Sequence, residues 1–123
     1  MSTTKIDLGK KVAVYLWSLD LAELSNMNCR KISTKFGLSR TFLSRKFKDS
    51  TQMCLFDYLE FVKIIQAAEL LNTCSDQPVR EISRMGGLKK SSHFRKKFKK
   101  IFCLTPHLYR KIRKMAHSGI FSS

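Results

Sequence analysis

Residues 32–48 read ISTKFGLSRTFLSRKFK, and residues 82–99 read ISRMGGLKKSSHFRKKFK. Ile32-Ser33 and Gly37-Leu38 return as Ile82-Ser83 and Gly87-Leu88. Leu43-Ser44-Arg45-Lys46-Phe47-Lys48 returns as Phe94-Arg95-Lys96-Lys97-Phe98-Lys99. The offset is about 50 residues, with one extra residue between the halves of the second copy. A repeat of this period marks one small supersecondary unit used twice. Both copies end in a basic stretch with large apolar residues four apart, which is helical spacing. A unit used twice, each time ending in a positive helix, points to a long anionic polymer, of which DNA is the simplest choice.

Working outward, the punctuation around each copy predicts helix-turn-helix units. Asn28 is a good cap for a helix from Cys29 to Phe36, and Gly37 supplies the left-handed residue that ends it. Ser39 caps a helix from Arg40 to about Asp49. Two short helices joined by a glycine-containing turn make a helix-turn-helix. Ser33 is small where the two helices cross. Leu43 and Phe47 point inward, which leaves Arg40, Thr41, Ser44, Arg45 and Lys48 for the outer face. In the second copy Pro78 suits the first turn of a helix from Val79 to about Gly86. Gly87 ends it, and a helix from Ser91 to about Lys100 follows, with Phe94 and Phe98 inward. Ser91, Ser92, His93, Arg95, Lys96 and Lys99 are its outer-face candidates.

Ser50 to Met53 reads as a break. A long helix then runs from about Leu55 to Thr73, with Phe56, Leu59, Val62, Ile65 or Gln66, Leu70 and Leu71 giving the period. At roughly 1.5 Å per residue it spans on the order of 28 Å. Two helices reading one face of DNA enter major-groove segments about 34 Å apart, so a rigid helix of this size suits a spacer. Asp7 is expected to cap a first helix running to about Leu24, with Leu8, Val12, Leu16 and Leu19 on one face. Thr105-Pro106 opens a last helix to about Ala116. Met1 to Ile6 is expected to be loose and His117 to Ser123 to fray. The predicted fold is all-α, about seven helices: a first helix-turn-helix subdomain over 1–53, a connecting helix over 54–74, and a second subdomain with a C-terminal helix over 75–123.

The 123 residues carry a formal net charge of +15, and 43% are hydrophobic, enough for a packed core. Such a field favours nucleic acid or an anionic surface. Between Glu23 and Asp49 stand seven Lys/Arg and no acid; from Ile82 to Ser123 stand twelve and no acid. The basic regions therefore coincide with the two repeat copies. Cys29, Cys54, Cys74 and Cys103 form no CxxC pair, and His93, His107 and His117 make no ligand spacing with them, so no metal site is expected. Cys29 and Cys103 read as free buried thiols, and a reducing compartment follows. The longest apolar run, Val12 to Trp17, is too short to span a bilayer, and the first residues lack a signal-peptide apolar stretch.

From Asn28 to Arg113 the chain resembles the AraC/XylS family of bacterial transcription regulators. The second copy carries most of the likeness: Glu81-Ile82-Ser83, Gly87-Leu88, Phe94, Phe98-Lys99-Lys100, Thr105-Pro106 and Tyr109-Arg110 follow the family's order and spacing without gaps. Leu38-Ser39, Leu43-Ser44-Arg45, Phe47-Lys48, Thr51, Tyr58-Leu59 and Ala68 to Leu71 carry it in the first. Departures are Gln52 and Cys103 where glycine is usual, Lys63 for arginine, Leu88 for phenylalanine, His93 for tyrosine, lysines at 46 and 97 for apolar residues, and lysines at 89 and 90 where capping residues are common.

The resemblance implies two helix-turn-helix motifs joined by a long helix, and sequence-specific binding to double-stranded promoter DNA. It implies base contacts from Thr41, Ser44 and Arg45 in the first recognition helix. Ser91, Ser92, His93 and Lys96 are the candidates in the second. Arg40, Lys48, Lys89, Lys90, Arg95 and Lys99 are the candidates for phosphate, which positions without specifying. Activation through contact with RNA polymerase is the implied outcome, in the cytoplasm at the nucleoid, with no cofactor. About 27 residues precede the first motif, too few for a sensing domain. The chain either acts alone or is a piece of a longer regulator, in which case a second copy or another protein partner is expected. The main alternative is a protein-interaction accessory of the transcription machinery that binds DNA only non-specifically. An RNA binder would expose stacking aromatics, whereas these aromatics take inward positions. The final basic helix lacks the broad apolar face of a membrane binder. No Gly-rich phosphate loop, metal cluster or nucleophile-base pair supports an enzyme.

Overall fold

The computed structural model describes residues 7–73, 76–88 and 90–117. Its elements are α1 (Leu8–Trp17), α2 (Leu21–Ser25), α3 (Cys29–Lys35), α4 (Arg40–Thr51), α5 (Leu55–Thr73), α6 (Val79–Met85), α7 (Ser91–Phe102) and α8 (Pro106–His117). No strand occurs among the described residues. The chain divides into two compact units, Met1–Val62 and Lys63–Ser123, and the boundary falls inside α5. The expectations for Met1 to Ile6, Cys74, Lys89 and Ser118 to Ser123 lie outside the described residues.

In the first unit the expected single helix from Asp7 to Leu24 is instead two. Asp20 is the reason. Its side chain accepts from the Glu23 amide at 2.8 Å, and the Glu23 carboxylate accepts from the Asp20 amide at 3.1 Å. This reciprocal box starts a new helix and ends the old one at Trp17. Asp7 does not cap α1 through its side chain; its carboxylate accepts from the Ser50 hydroxyl of α4 instead. α1 lies so close to α4 that a Cβ on Gly9 would sit 2.1 Å from Ser50 Oγ, so only glycine fits there. Val12, Leu16, Leu24, Ile32, Leu43, Phe47, Leu55, Leu59 and Val62 form the core. Tyr15 meets Phe36 edge-on at 5.7 Å, and the Trp17 indole N–H donates to the Tyr58 hydroxyl at 2.7 Å.

In the second unit Ile64, Ala67, Ala68, Leu71, Val79, Ile82, Leu88, Phe94 and Phe98 form the core. Phe98 stacks on Phe102 at 4.4 Å, and Tyr109 of α8 meets the Phe98 ring edge-on at 5.3 Å. Arg110 Nε donates to the Leu71 carbonyl at 3.2 Å, and Arg113 Nε to Asn72 Oδ1 at 3.3 Å, which ties α8 to the end of α5.

α5 has the expected bounds but not the expected stripe. Leu55, Leu59 and Val62 follow helical spacing for the first core; the count restarts at Ile64, Ala67, Ala68 and Leu71 for the second. The single expected stripe is thus replaced by two successive sets of buried residues, one in each core. Phe56, expected within the stripe, is 54% exposed. Two further expectations change. α4 and α7 run through Thr51 and Phe102 rather than stopping near Asp49 and Lys100. Cys103 is exposed and Cys29 half-buried, because Cys103 follows α7 in the connecting turn rather than on a packed face.

Candidate nucleic-acid interface

The repeat is a repeat of hydrogen bonds. After α3, Gly37 takes φ 67°; its amide donates to the Thr34 carbonyl and the Leu38 amide to the Ser33 carbonyl at 2.9 Å. After α6, Gly87 takes φ 82°, with its amide on Arg84 and the Leu88 amide on Ser83 at 3.0 Å. Both are Schellman stops, which require the left-handed residue that glycine adopts without strain. Each is followed by a leucine that joins its unit's core: Leu38 packs against the first and Leu88 is part of the second.

The extra residue of the second copy falls in the next turn and changes the chemistry there. Ser39 alone leads into α4, and its hydroxyl accepts from the Phe42 amide at 3.2 Å. Lys89 and Lys90 lead into α7, and Lys90 at the cap position has no acceptor to offer. From there the recognition helices match residue for residue. Each has 12 residues, α4 as RTFLSRKFKDST and α7 as SSHFRKKFKKIF. Each ends on a non-glycine left-handed residue, Gln52 at φ 64° and Cys103 at φ 61°. Their amides close on Lys48 and Lys99, each at 2.8 Å. The match pairs Thr41 with Ser92, Phe42 with His93, Ser44 with Arg95 and Arg45 with Lys96. Arg95 thus stands where the first helix has Ser44, although the sequence reading gave Arg95 to phosphate and Ser44 to a base.

Leu43 and Phe47 are fully buried, as are Phe94 and Phe98, so each helix has an anchored inner face. Arg40, Thr41, Ser44 and Arg45 line one open concavity on α4. Lys48 is exposed on the same helix but outside that lining. On α7, His93, Lys96 and Lys99 come together with Lys97 and Lys100 around one open cleft. Ser92 and Arg95 are exposed, Ser91 is half-buried, and Lys90 is exposed in the preceding turn. Sequence reasoning did not single out Lys97 and Lys100, which share the α7 cleft, or the exposed ring of Phe42. The basic run pointed to the lysines; a helical-wheel projection carried through α4 would have found Phe42. Arg30, also passed over, joins Arg40, Phe56, Asn28 and Cys29 around another cleft of the first unit. Among the described residues no cluster of His, Cys, Asp or Glu could hold a metal ion, and no helix is long and apolar enough to cross a membrane.

The family model for a helix-turn-helix domain matches residues 32–112, a span that takes in both motifs. The chain is 30% identical over 94 residues to the multiple antibiotic resistance protein MarA of Escherichia coli (strain K12), covering 76% of this chain and 72% of that one. It belongs to the AraC/XylS family. Several solved structures share its fold, among them the following two. The DNA-binding domain of AdpA, a global transcriptional factor in complex with a target DNA, superposes with a TM-score of 0.72 at 22% identity, over 90% of this chain and 96% of that one. The C-terminal domain of the two-component response regulator yesN of Fusobacterium nucleatum gives 0.66 at 28% identity, over 82% and 95%. The AraC/XylS pattern explains why two stops, two anchored helices and two left-handed ends recur in one chain. This member keeps that backbone while placing glutamine and cysteine in turns that favour glycine.

Proposed function

We propose that this chain is a sequence-specific double-stranded DNA-binding transcription regulator that inserts α4 and α7 into successive major-groove segments. The observation that carries this reading is the doubled recognition helix, anchored inside by two large apolar residues and cationic on its open side. On α4, Arg45 is the principal base reader, because a guanidinium bonds guanine O6 and N7 together. Thr41 and Ser44 flank it. On α7, Ser91, Ser92, His93 and Lys96 take the corresponding role; hydroxyls read bases weakly, so this half contributes affinity and shape readout. Arg40, Lys48, Lys89, Lys90, Arg95 and Lys99 meet phosphates and set the register of the protein on the duplex. The chain works without a cofactor and without catalysis.

Activation is the expected outcome, through RNA polymerase bound beside the regulator at the promoter, in the cytoplasm at the nucleoid. If the chain belongs to a longer regulator, a second copy or another protein partner joins it there. The test is selection of bound fragments from the source genome, followed by titration on a selected duplex and on its scrambled version. Two half-sites about one helical turn apart are expected. Equal affinity for both duplexes would leave only the accessory reading. Run-off transcription with and without the chain then separates activation from repression.

A further inference from the structure

Phe42 is the third residue of α4, 43% exposed, and belongs to neither apolar core. A single exposed apolar residue is ordinary on a protein surface. What sets this one apart is its direction. With about 100° between successive helical residues, the side opposite Leu43 and Phe47 is centred on Arg45. Thr41 lies about 40° to one side of that centre and Phe42 about 60° to the other. Phe42 thus flanks the guanidinium on the outer face, within the N-terminal part of the recognition helix, the part that meets base edges in helix-turn-helix complexes. Its amide donates to Ser39 Oγ at 3.2 Å, which fixes the helix backbone there, and the Lys46 ammonium lies 5.7 Å from the ring centroid.

We propose that Phe42 reads sequence through apolar contact, its ring meeting the C5-methyl of a thymine in the major groove. This rests on the reading that α4 enters that groove. Thymine is the base that offers a methyl group there. A phenyl ring has no hydrogen-bonding atom, so set against the amino or carbonyl edge of another base it strips water without replacing it. The pairing of the two helices adds a consequence. The counterpart of Phe42 is His93, which carries donor and acceptor nitrogens. The two half-sites are therefore read by different chemistry at equivalent places, and the chain binds its site in one direction.

The experiment starts from duplexes selected by the wild-type chain. Each thymine of a selected site is replaced in turn by uracil, which lacks only the methyl, and affinity is read by fluorescence anisotropy. For the wild type, one replacement in the half-site of α4 should weaken binding about fourfold, the factor for one buried methyl-sized group. Phe42→Ala should bind thymine and uracil versions of that site alike, yet still discriminate at the guanine read by Arg45. Phe42→Leu, which keeps an apolar side chain, should retain part of the difference. Thermal melting should be unchanged in both variants. An undiminished uracil penalty in Phe42→Ala overturns the proposal, as does a penalty that vanishes in Thr41→Ser alone. A wild type that selects no sequence at all overturns the underlying reading, and this inference with it.

Discussion

Replacing Cys103 by glycine should stabilise the second unit, and the structure sets the size of the gain. Cys103 sits at φ 61° and ψ 16° after α7. A side chain in that region brings Cβ against the following carbonyl, which costs roughly 1–2 kcal/mol. Glycine removes that cost but adds unfolded-chain entropy, roughly 0.5–1 kcal/mol. The net gain lies between about 0 and 1.5 kcal/mol, centred on about 0.75 kcal/mol, a rise of about 3–6 °C in Tm for a unit of this size. Gln52→Gly removes the same strain at φ 64°. It also removes a side-chain bond, in which Gln52 Nε2 donates to the Asp49 carbonyl at 3.1 Å. An exposed bond contributes at the low end of roughly 0.5–1.5 kcal/mol, so the Gln52 gain should be near zero and clearly below the Cys103 gain. Urea and thermal unfolding, followed by far-UV circular dichroism, measure both. Cys103→Ala is the control: it keeps the strained backbone and should not stabilise. If alanine gains as much as glycine, or if Cys103→Gly destabilises, backbone strain is not the governing term at this turn.

Arg45→Ala should cost about 1–3 kcal/mol on a selected site and much less on random DNA, whereas Arg95→Ala should weaken both equally; anisotropy on the two duplexes decides, and a selective loss at Arg95 would move it to the base readers beside its counterpart Ser44. With six or more phosphate contacts, a plot of log affinity against log salt should fall with a slope of about −5 or steeper; a flat plot would contradict the charge argument. Lys90→Ser should give α7 the cap it lacks and raise stability by about 1 kcal/mol, while lowering DNA affinity through the lost phosphate contact; unfolding and binding curves measured on the same variant show whether the two move in opposite directions. Ser83→Ala should destabilise by about 1–2 kcal/mol, because the Ser83 hydroxyl donates to the buried Leu88 carbonyl at 2.6 Å and leaves it unpaired when removed; Ser33→Ala should cost less by the same unfolding assay, since its hydroxyl bonds the Arg30 carbonyl within its own helix at 2.8 Å.

Much of this protein was legible because its signals are local. Asn28 and Ser39 cap the helices they precede, with bonds to the Lys31 and Phe42 amides at 2.8 and 3.2 Å. Gly37 and Gly87 end helices with positive φ, and Thr105 accepts from the Leu108 amide at 3.2 Å to open α8. Caps and stops act within a few residues, so the chain spells them out in order. The inward positions Leu43, Phe47, Phe94 and Phe98 were equally plain, because each lies one turn from its partner on a helix that packs along one face.

What remained hidden was either masked by a competing local signal or depended on partners distant in sequence. The break between α1 and α2 was masked by an apolar period that runs across it, although Asp20 and Glu23 spelled the box. Phe56 matched the period of α5 and is nonetheless exposed. The outward direction of Phe42 was legible from the helical period once Leu43 and Phe47 were placed inward; its exposure is what the structure added. The sequence by itself determined the all-α class, the doubled helix-turn-helix, the helix stops and the placing of positive charge, since each follows from nearest-neighbour stereochemistry or composition. Tertiary structure alone decided that α5 changes its buried face between Val62 and Ile64, that Gly9 lets α1 approach Ser50, and which cations gather around each cleft. Those outcomes depend on which residues far apart in the chain compete for the same space, and no local pattern encodes that competition.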